Sequence, residues 1–350
     1  MTRAAQAVTL VRRPVGAPVA EDFALGDVGL EDPGPGQVRV RVRSLSLDPY
    51  VRSLLGSGHL AEAALPLGSV VPGRSVAEVV DPGDSAHPPG SLVLAETGWR
   101  SDAVVDAAAL RPVVVPVGLP PSVALGALGM PGLTAYAAHV RHLRPRPGDT
   151  VVVSAATGGV GSVSGALARR AGARAVAIVG SREKAEVATA RLGYDAAVVR
   201  TDPRWLDALD EACPDRIHGY AHLADQATLD GVMERLAAGA RVSLVGVIDQ
   251  NNGAPATRLR VGAVMVARAT VHGMVVHDHL DLTDDHVREV SDLLGEGVLE
   301  LLEDTHVGLA RAPEAFSRLL LGRNVGKVVV HVHPESSRST EHPSQPRSST

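Results

Sequence analysis

Apolar and polar residues alternate through VRVRVRSLSL (38–47), as they do in a strand with one buried face. Similar short runs recur in SVAEVV (75–80), SLVLAE (91–96) and SDAVVD (101–106), set apart by the turns EDPGPGQ and DPGDSAHPPG. Residues 1 to about 120 therefore read as β-rich. From Ser122 to His142 the spacing becomes helical, with a break expected at Met130-Pro131-Gly132. Strand and helix patterns then take turns. Strands are predicted at 151–154, 173–181, 196–200, IHGYAHLA, 240–247 and 269–276. Helices are predicted from about Gly159, over REKAEVATARLG, DPRWLDALDEAC and ATLDGVMERLAAGA, and over Thr283–Leu294. This rhythm predicts a parallel, doubly wound sheet. The stretch Leu299–Val332 is expected to return to the first part of the chain, and the Ser/Pro-rich end (334–350) reads as a disordered tail.

The strand 151–154 enters a turn of the form A-x-G-x-x-G, with Ala156, Gly158 and Gly161 at the marked positions. A diphosphate can approach such a turn because no side chain at Gly158 stands in its way. The helix that follows offers free N–H groups and the positive end of its dipole. Glycine-rich turns join many strands and helices, but here a buried strand precedes and an amphipathic helix follows. That context points to a nucleotide site.

Composition narrows the class. At 350 residues the chain is long enough for two domains. It is 45% hydrophobic with a net charge of −5, which excludes the basic face of a nucleic-acid binder. Aromatics at 2% provide no stacking platform for single strands. The lone Cys213 excludes an internal disulfide and a multi-cysteine zinc site, and favours the cytoplasm. The N-terminus has no signal-peptide core, and no apolar run is long enough to span a bilayer, so no membrane partner is expected.

Six motifs then occur in order: LSLDPYVRSLL (45–55), GSLVLAETGWRSDAVVD (90–106), GMPGLTAY (129–136), VVVSAATGGVG (151–161), GSREK (180–184) and APEAFSRLLLGRNVGKVVV (312–330). The chain resembles the zinc-independent branch of the medium-chain dehydrogenase/reductase superfamily, the group of prostaglandin/leukotriene reductases, alkenal double-bond reductases and curcumin reductases. The resemblance covers roughly residues 10 to 333. It implies an α/β protein in which a Rossmann domain (123–298) is inserted into a GroES-like β-rich substrate domain (1–122 plus 299–333). It also implies reduction of an activated C=C bond in a small enone or enal by NADPH, and a homodimer.

An NAD site would place Asp or Glu about 20 residues beyond the glycine turn to hold the ribose hydroxyls. Here the second strand ends in Gly180-Ser181-Arg182-Glu183-Lys184, where Arg182 and Lys184 suit a 2′-phosphate. Glu183 falls at a helix start and complements its dipole. The resemblance gives the phosphate contact to Lys184 and places Arg200 where the family carries a Tyr. Both favour NADP. The remaining cofactor wall is expected from Met130, Thr134, Thr157, Gly158, Gly159, Val160, Gly161, Ser181, Val245, Gly246, Val247, Ile248, Met274, Val275, Val276 and Asn324. No metal site is expected, because the zinc-dependent relatives' Cys and Gly-His-Glu ligands are lacking and the histidines lack ligand spacing except in His277-Asp278-His279, which reads as a polar strand end.

Enone reduction needs a donor at the oxygen where enolate charge develops. Tyr50 of DPYVR matches a pocket-lining family position and is the first candidate, while Asp48 reads as a turn former before Pro49. Arg52 reads as making structural bonds or meeting an anionic substrate group. Two family features are altered on the nicotinamide side. Leu223 replaces a cofactor-contacting Asn, and Asn251 replaces a pocket Tyr, in a shortened loop. Two readings follow. Either Asn251, Asp249 or His222 supplies replacement donors for reduction, or the protein binds NADPH without turning it over and uses His222 and Asp249 for redox-neutral acid–base work such as cyclisation or dehydration.

Overall fold

The structure, a computed structural model, describes residues 3–60, 62–83 and 85–333; the predicted tail lies outside them. A hairpin of β1 (Arg3–Leu10) and β2 (Phe23–Leu30) opens the chain. Then follow β3 (Gln37–Ser46), the short α1 (Val51–Leu55), β4 (Arg74–Asp81), β5 (Leu92–Glu96), β6 (Asp102–Asp106) and β7 (Arg111–Pro112). Strands β14 (Glu303–Val307) and β15 (Lys327–His331), near the end of the described chain, join β3 to β7 in one seven-stranded sheet. In it β15 lies antiparallel to β3, with Val329 opposite Ser46.

Between these parts runs the alternating section. It contains α2 (Met130–Ala137), β8 (Thr150–Ser154), α3 (Gly159–Arg170), β9 (Arg174–Val179), α4 (Arg182–Ala190), β10 (Ala196–Val199) and α5 (Trp205–Ala212). It continues through β11 (Ile217–His222), α6 (Gln226–Met233), β12 (Leu236–Leu244), α7 (Ile248–Asn251), α8 (Val261–Ala267), β13 (Thr270–Gly273) and α9 (Thr283–Gly295). Its six strands pair in parallel in the order β10-β9-β8-β11-β12-β13. The apolar runs of β8 and β9 are buried on both faces, as strands covered by helices on each side must be.

Two local expectations need correction. Met130-Pro131-Gly132 begins α2 instead of breaking a helix, because proline fits a first helical turn, where its missing N–H costs nothing. Gly132 is fixed by packing, since a Cβ there would lie 1.8 Å from the Ala127 carbonyl oxygen. LAAGA, expected at the end of a helix, instead starts β12, with Gly239 at φ +74°.

The β-rich part closes around Trp99, stacked on Phe23 at 5.6 Å and meeting Phe316 of α10 (Ala312–Leu320) edge-on at 5.4 Å. Such aromatic pairs contribute about 0.5–1.5 kcal/mol each beyond the area they bury. Because Phe316 belongs to the returning segment, this cluster ties the C-terminal stretch to the N-terminal sheet.

Candidate active site

All six parallel strands end on one edge of their sheet. The order reverses between β9–β8 and β11–β12, and at such a switch point the loops part and leave a crevice. The glycine turn leaves β8 there, and α3 begins at Gly159 with Gly158 as its N-cap. The glycines differ in what they meet. A Cβ on Gly161 would lie 2.5 Å from the Ala155 carbonyl oxygen and 2.6 Å from the Ala156 Cα, so packing alone demands glycine. On Gly158 it would meet only the Ala155 oxygen, at 3.3 Å, and the backbone there (φ −84°, ψ 179°) suits any residue. The protein's own packing barely uses that bareness. A diphosphate would.

Several of the other expected cofactor positions follow the ends of the same parallel strands. Ser181 caps α4, its hydroxyl accepting from the Lys184 N–H at 3.3 Å, and Gly180 faces open space. Arg182 is exposed and, among the described residues, has no partner. Lys184 Nζ donates to the Gly322 carbonyl at 2.6 Å, and burial draws its ammonium below the usual lysine range. Arg200, just past β10, is already paired with Asp225. That carboxylate also caps α6, accepting from the Thr228 N–H at 2.8 Å and from its hydroxyl at 2.7 Å. Val245, Gly246 and Val247 follow β12, and Ile248 starts α7; Met274, Val275 and Val276 follow β13. Thr157 and Thr134 are buried and Met130 and Val160 half-buried, with the Thr134 hydroxyl donating to the Met130 carbonyl at 2.7 Å. Asn324 is buried, its Nδ2 donating to the Gly326 carbonyl at 2.8 Å, so its amide holds its own turn.

The reaction side looks different from expectation. Tyr50 caps α1, half-buried, and packs with Ile248 against the Trp99 core. Its ring lies 5.4 Å from that of His59, tilted by 46°. Its hydroxyl has no hydrogen-bond partner among the described residues, and burial, with Asp48 next, pushes its ionisation up. A neutral, unpartnered phenol is suited to donating. Asn251 ends α7, half-buried, its amide likewise without a partner among the described residues. Asp249 instead accepts backbone N–H groups, from Gln226 at 3.2 Å and Gln250 at 2.9 Å.

His222 ends β11. It is fully buried, with Nδ1 2.8 Å from the Tyr220 hydroxyl, and burial lowers its pKa to about 4. Its Nε2 is buried without a hydrogen-bond partner among the described residues. Arg52 takes the structural role, donating to the Gly16 carbonyl from Nε at 3.1 Å and from Nη2 at 2.9 Å.

Asp48 opens the expected turn, its carbonyl accepting from the Val51 N–H at 3.2 Å, and its side chain has a further role. It is buried and ion-paired with Lys327, Nζ to Oδ1 3.0 Å, while the Ser46 hydroxyl donates to its second oxygen. Sequence reasoning missed Lys327. Its signal was a lysine opening the valine run of KVVVH, a place a buried ammonium occupies only with a partner. Among the described residues no group of three or more His, Cys, Asp or Glu side chains is arranged to hold a metal ion.

A parallel sheet with a bare glycine turn at its switch point, set against a β-rich part carrying a free phenol, defines the class: a nucleotide-dependent oxidoreductase of two parts. Known proteins narrow it further. Residues 6–113 match the model described as the N-terminal domain of oxidoreductase, and 159–295 the model described as zinc-binding dehydrogenase. The chain is 33% identical over 332 residues to the NADPH-dependent curcumin reductase of Escherichia coli (strain K12), covering 92% of this chain and 95% of that one. It is 32% identical over 335 residues to the 2-alkenal reductase (NADP(+)-dependent) of Nicotiana tabacum, covering 94% and 97%. The crystal structure of CurA from Vibrio vulnificus in complex with NADPH superimposes with a TM-score of 0.88 at 32% identity, over 94% of this chain and 99% of that one. The chain belongs to the alkenal and prostaglandin reductase branch of the medium-chain dehydrogenase/reductase superfamily.

Proposed function

We propose that this protein is an NADPH-dependent reductase of the activated C=C bond of α,β-unsaturated carbonyl compounds. The single observation that carries the reading is the Gly158 turn at the switch point, flanked beyond β9 by an arginine with no partner among the described residues and a half-buried lysine where an NAD site needs an acid. Gly158 and Gly161 with the start of α3 would take the diphosphate; Arg182 and Lys184, with Arg200, would take the 2′-phosphate. When bound, the reduced nicotinamide supplies the hydride for the substrate's β-carbon. Tyr50 then donates to the carbonyl oxygen as it gains charge. We assign the division of labour to residues 1–122 plus 299–333 for the substrate and 123–298 for the cofactor. Asn251 is assigned to the substrate wall, and the cytoplasmic reading rests on the single cysteine. We further infer a homodimer.

The redox-neutral alternative asked His222 and Asp249 for acid–base work. Burial of the first and the backbone engagement of the second leave it without a supporting observation. The test is direct. Protein, NADPH and a panel of enones and enals are mixed, and loss of reduced-cofactor absorbance is followed. Turnover with at least one substrate class is expected; tight NADPH binding without oxidation across the panel would restore the alternative.

A further inference from the structure

Lys327 and Asp48 form a buried ion pair, both side chains under a tenth exposed. Taking two charges out of water costs several kcal/mol per ion, so stability alone is a poor reason to keep one. Its position suggests another. The lysine's chain runs between two glycines of the alternating section. A Cβ on Gly126 would lie 3.3 Å from its Cγ, and one on Gly159 3.3 Å from its Cδ. Its ammonium then reaches the β-rich part, donating to the Leu47 carbonyl at 2.6 Å and to Asp48 at 3.0 Å. One residue earlier, the Gly326 N–H donates to the Thr157 carbonyl at 2.8 Å, inside the glycine turn. Within two residues, 326 and 327, the chain thus grips both the turn expected to carry the diphosphate and the segment that leads into Tyr50.

We propose that Lys327 is a positioning residue for hydride transfer: it clasps the glycine turn to the Ser46–Tyr50 segment and so fixes the Tyr50 hydroxyl relative to the cofactor bed. The inference rests on the reductase reading. Reacting groups displaced by about 1 Å can lose a hundredfold in rate while binding persists, which separates a clasp from a binding contact.

The experiment compares the full-length wild type with Lys327→Met, which keeps the chain's length and removes its charge, and with the double variant Lys327→Met/Asp48→Asn, which leaves no charge unpaired. The dissociation constant for NADPH is read by fluorescence titration and kcat with the best enone by absorbance. Lys327→Met should lose about tenfold or more in kcat while NADPH affinity stays within about threefold. The double variant should remain slow, because neither Met nor Asn restores the clasp. Wild-type kcat in Lys327→Met would overturn the proposal. So would a double variant at wild-type speed, since the lysine would then only neutralise Asp48, or a loss of NADPH affinity equal to the loss in kcat. Should Lys327→Met not fold, the double variant decides alone. A wild type inert toward every enone is a separate result that rejects the reductase reading first.

Discussion

Lys184 and Arg200 are cations at the same crevice, yet their surroundings predict different consequences of removal. Lys184 is half-buried and spends its charge on a neutral carbonyl, that of Gly322, so an arriving phosphate gains a strong charge-assisted partner. Charged hydrogen bonds contribute about 1.5–3 kcal/mol, so Lys184→Ala should weaken NADPH by about tenfold to a hundredfold and leave NADH unchanged. Arg200 already neutralises Asp225, and Arg200→Ala should cost NADPH less. Calorimetric titration of both variants with both cofactors checks this, and equal losses for NADPH and NADH would refute the phosphate assignment. Buried histidines set the pH behaviour. His222 and His139 are each pushed by burial from the ordinary histidine value to about 4. The fold therefore favours their neutral forms. Their contribution is fully present above about pH 6.5, the unfolded value, and is lost as pH falls from there through about 4. Denaturant unfolding between pH 7.5 and 4.5 should show stability falling on the acid side, with a shallower slope in His222→Gln.

The strand–turn–helix unit of β8 and α3 makes a sharper distinction between folding and function than any single contact. Gly161→Ala forces a Cβ into the backbone of Ala155 and Ala156 and should destabilise by about 1–3 kcal/mol, seen as a lowered Tm. Gly158→Ala finds permissive backbone angles and one tight contact, so its Tm should stay near wild type while NADPH binding drops. If both variants lose only stability, the turn is structural. What the sequence revealed follows from which signals are local. The parallel section was legible because buried strands and amphipathic helices differ in period, and the glycine turn because its chemistry lies within six residues, Ala156 to Gly161. The β1–β2 hairpin was not singled out: β2 is exposed at most positions, which erases the alternation that marks a strand. Helix α8, the apolar run VGAVMVA, carries no polar face to declare itself. The clasp was unreadable for a different reason. Asp48 and Lys327 lie 279 residues apart, and only the return of β15 beside β3 brings them together.

At the scale of the whole molecule, the parallel sheet ends on an open side. Among the described residues strand β13 pairs only with β12, leaving its outer N–H and C=O groups without a strand neighbour there. Beside it α8 exposes Val261, Met265 and Val266 at 63%, 72% and 80%. Single exposed aliphatics are ordinary, but three on one short helix next to a bare sheet edge form the kind of patch that a partner covers. A second copy related by a two-fold axis could pair β13 with β13 and cover both helices at once, because such an interface uses the same patch on each side. Sedimentation at micromolar concentration should therefore give twice the mass of one chain. Met265→Glu/Val266→Glu should shift it to the single mass, since two buried carboxylates per side would face each other across the axis. NADPH binding should survive that change, because neither residue belongs to the crevice at the strand ends. A wild type that sediments as one chain, or a double variant that remains paired, would remove this edge as the contact.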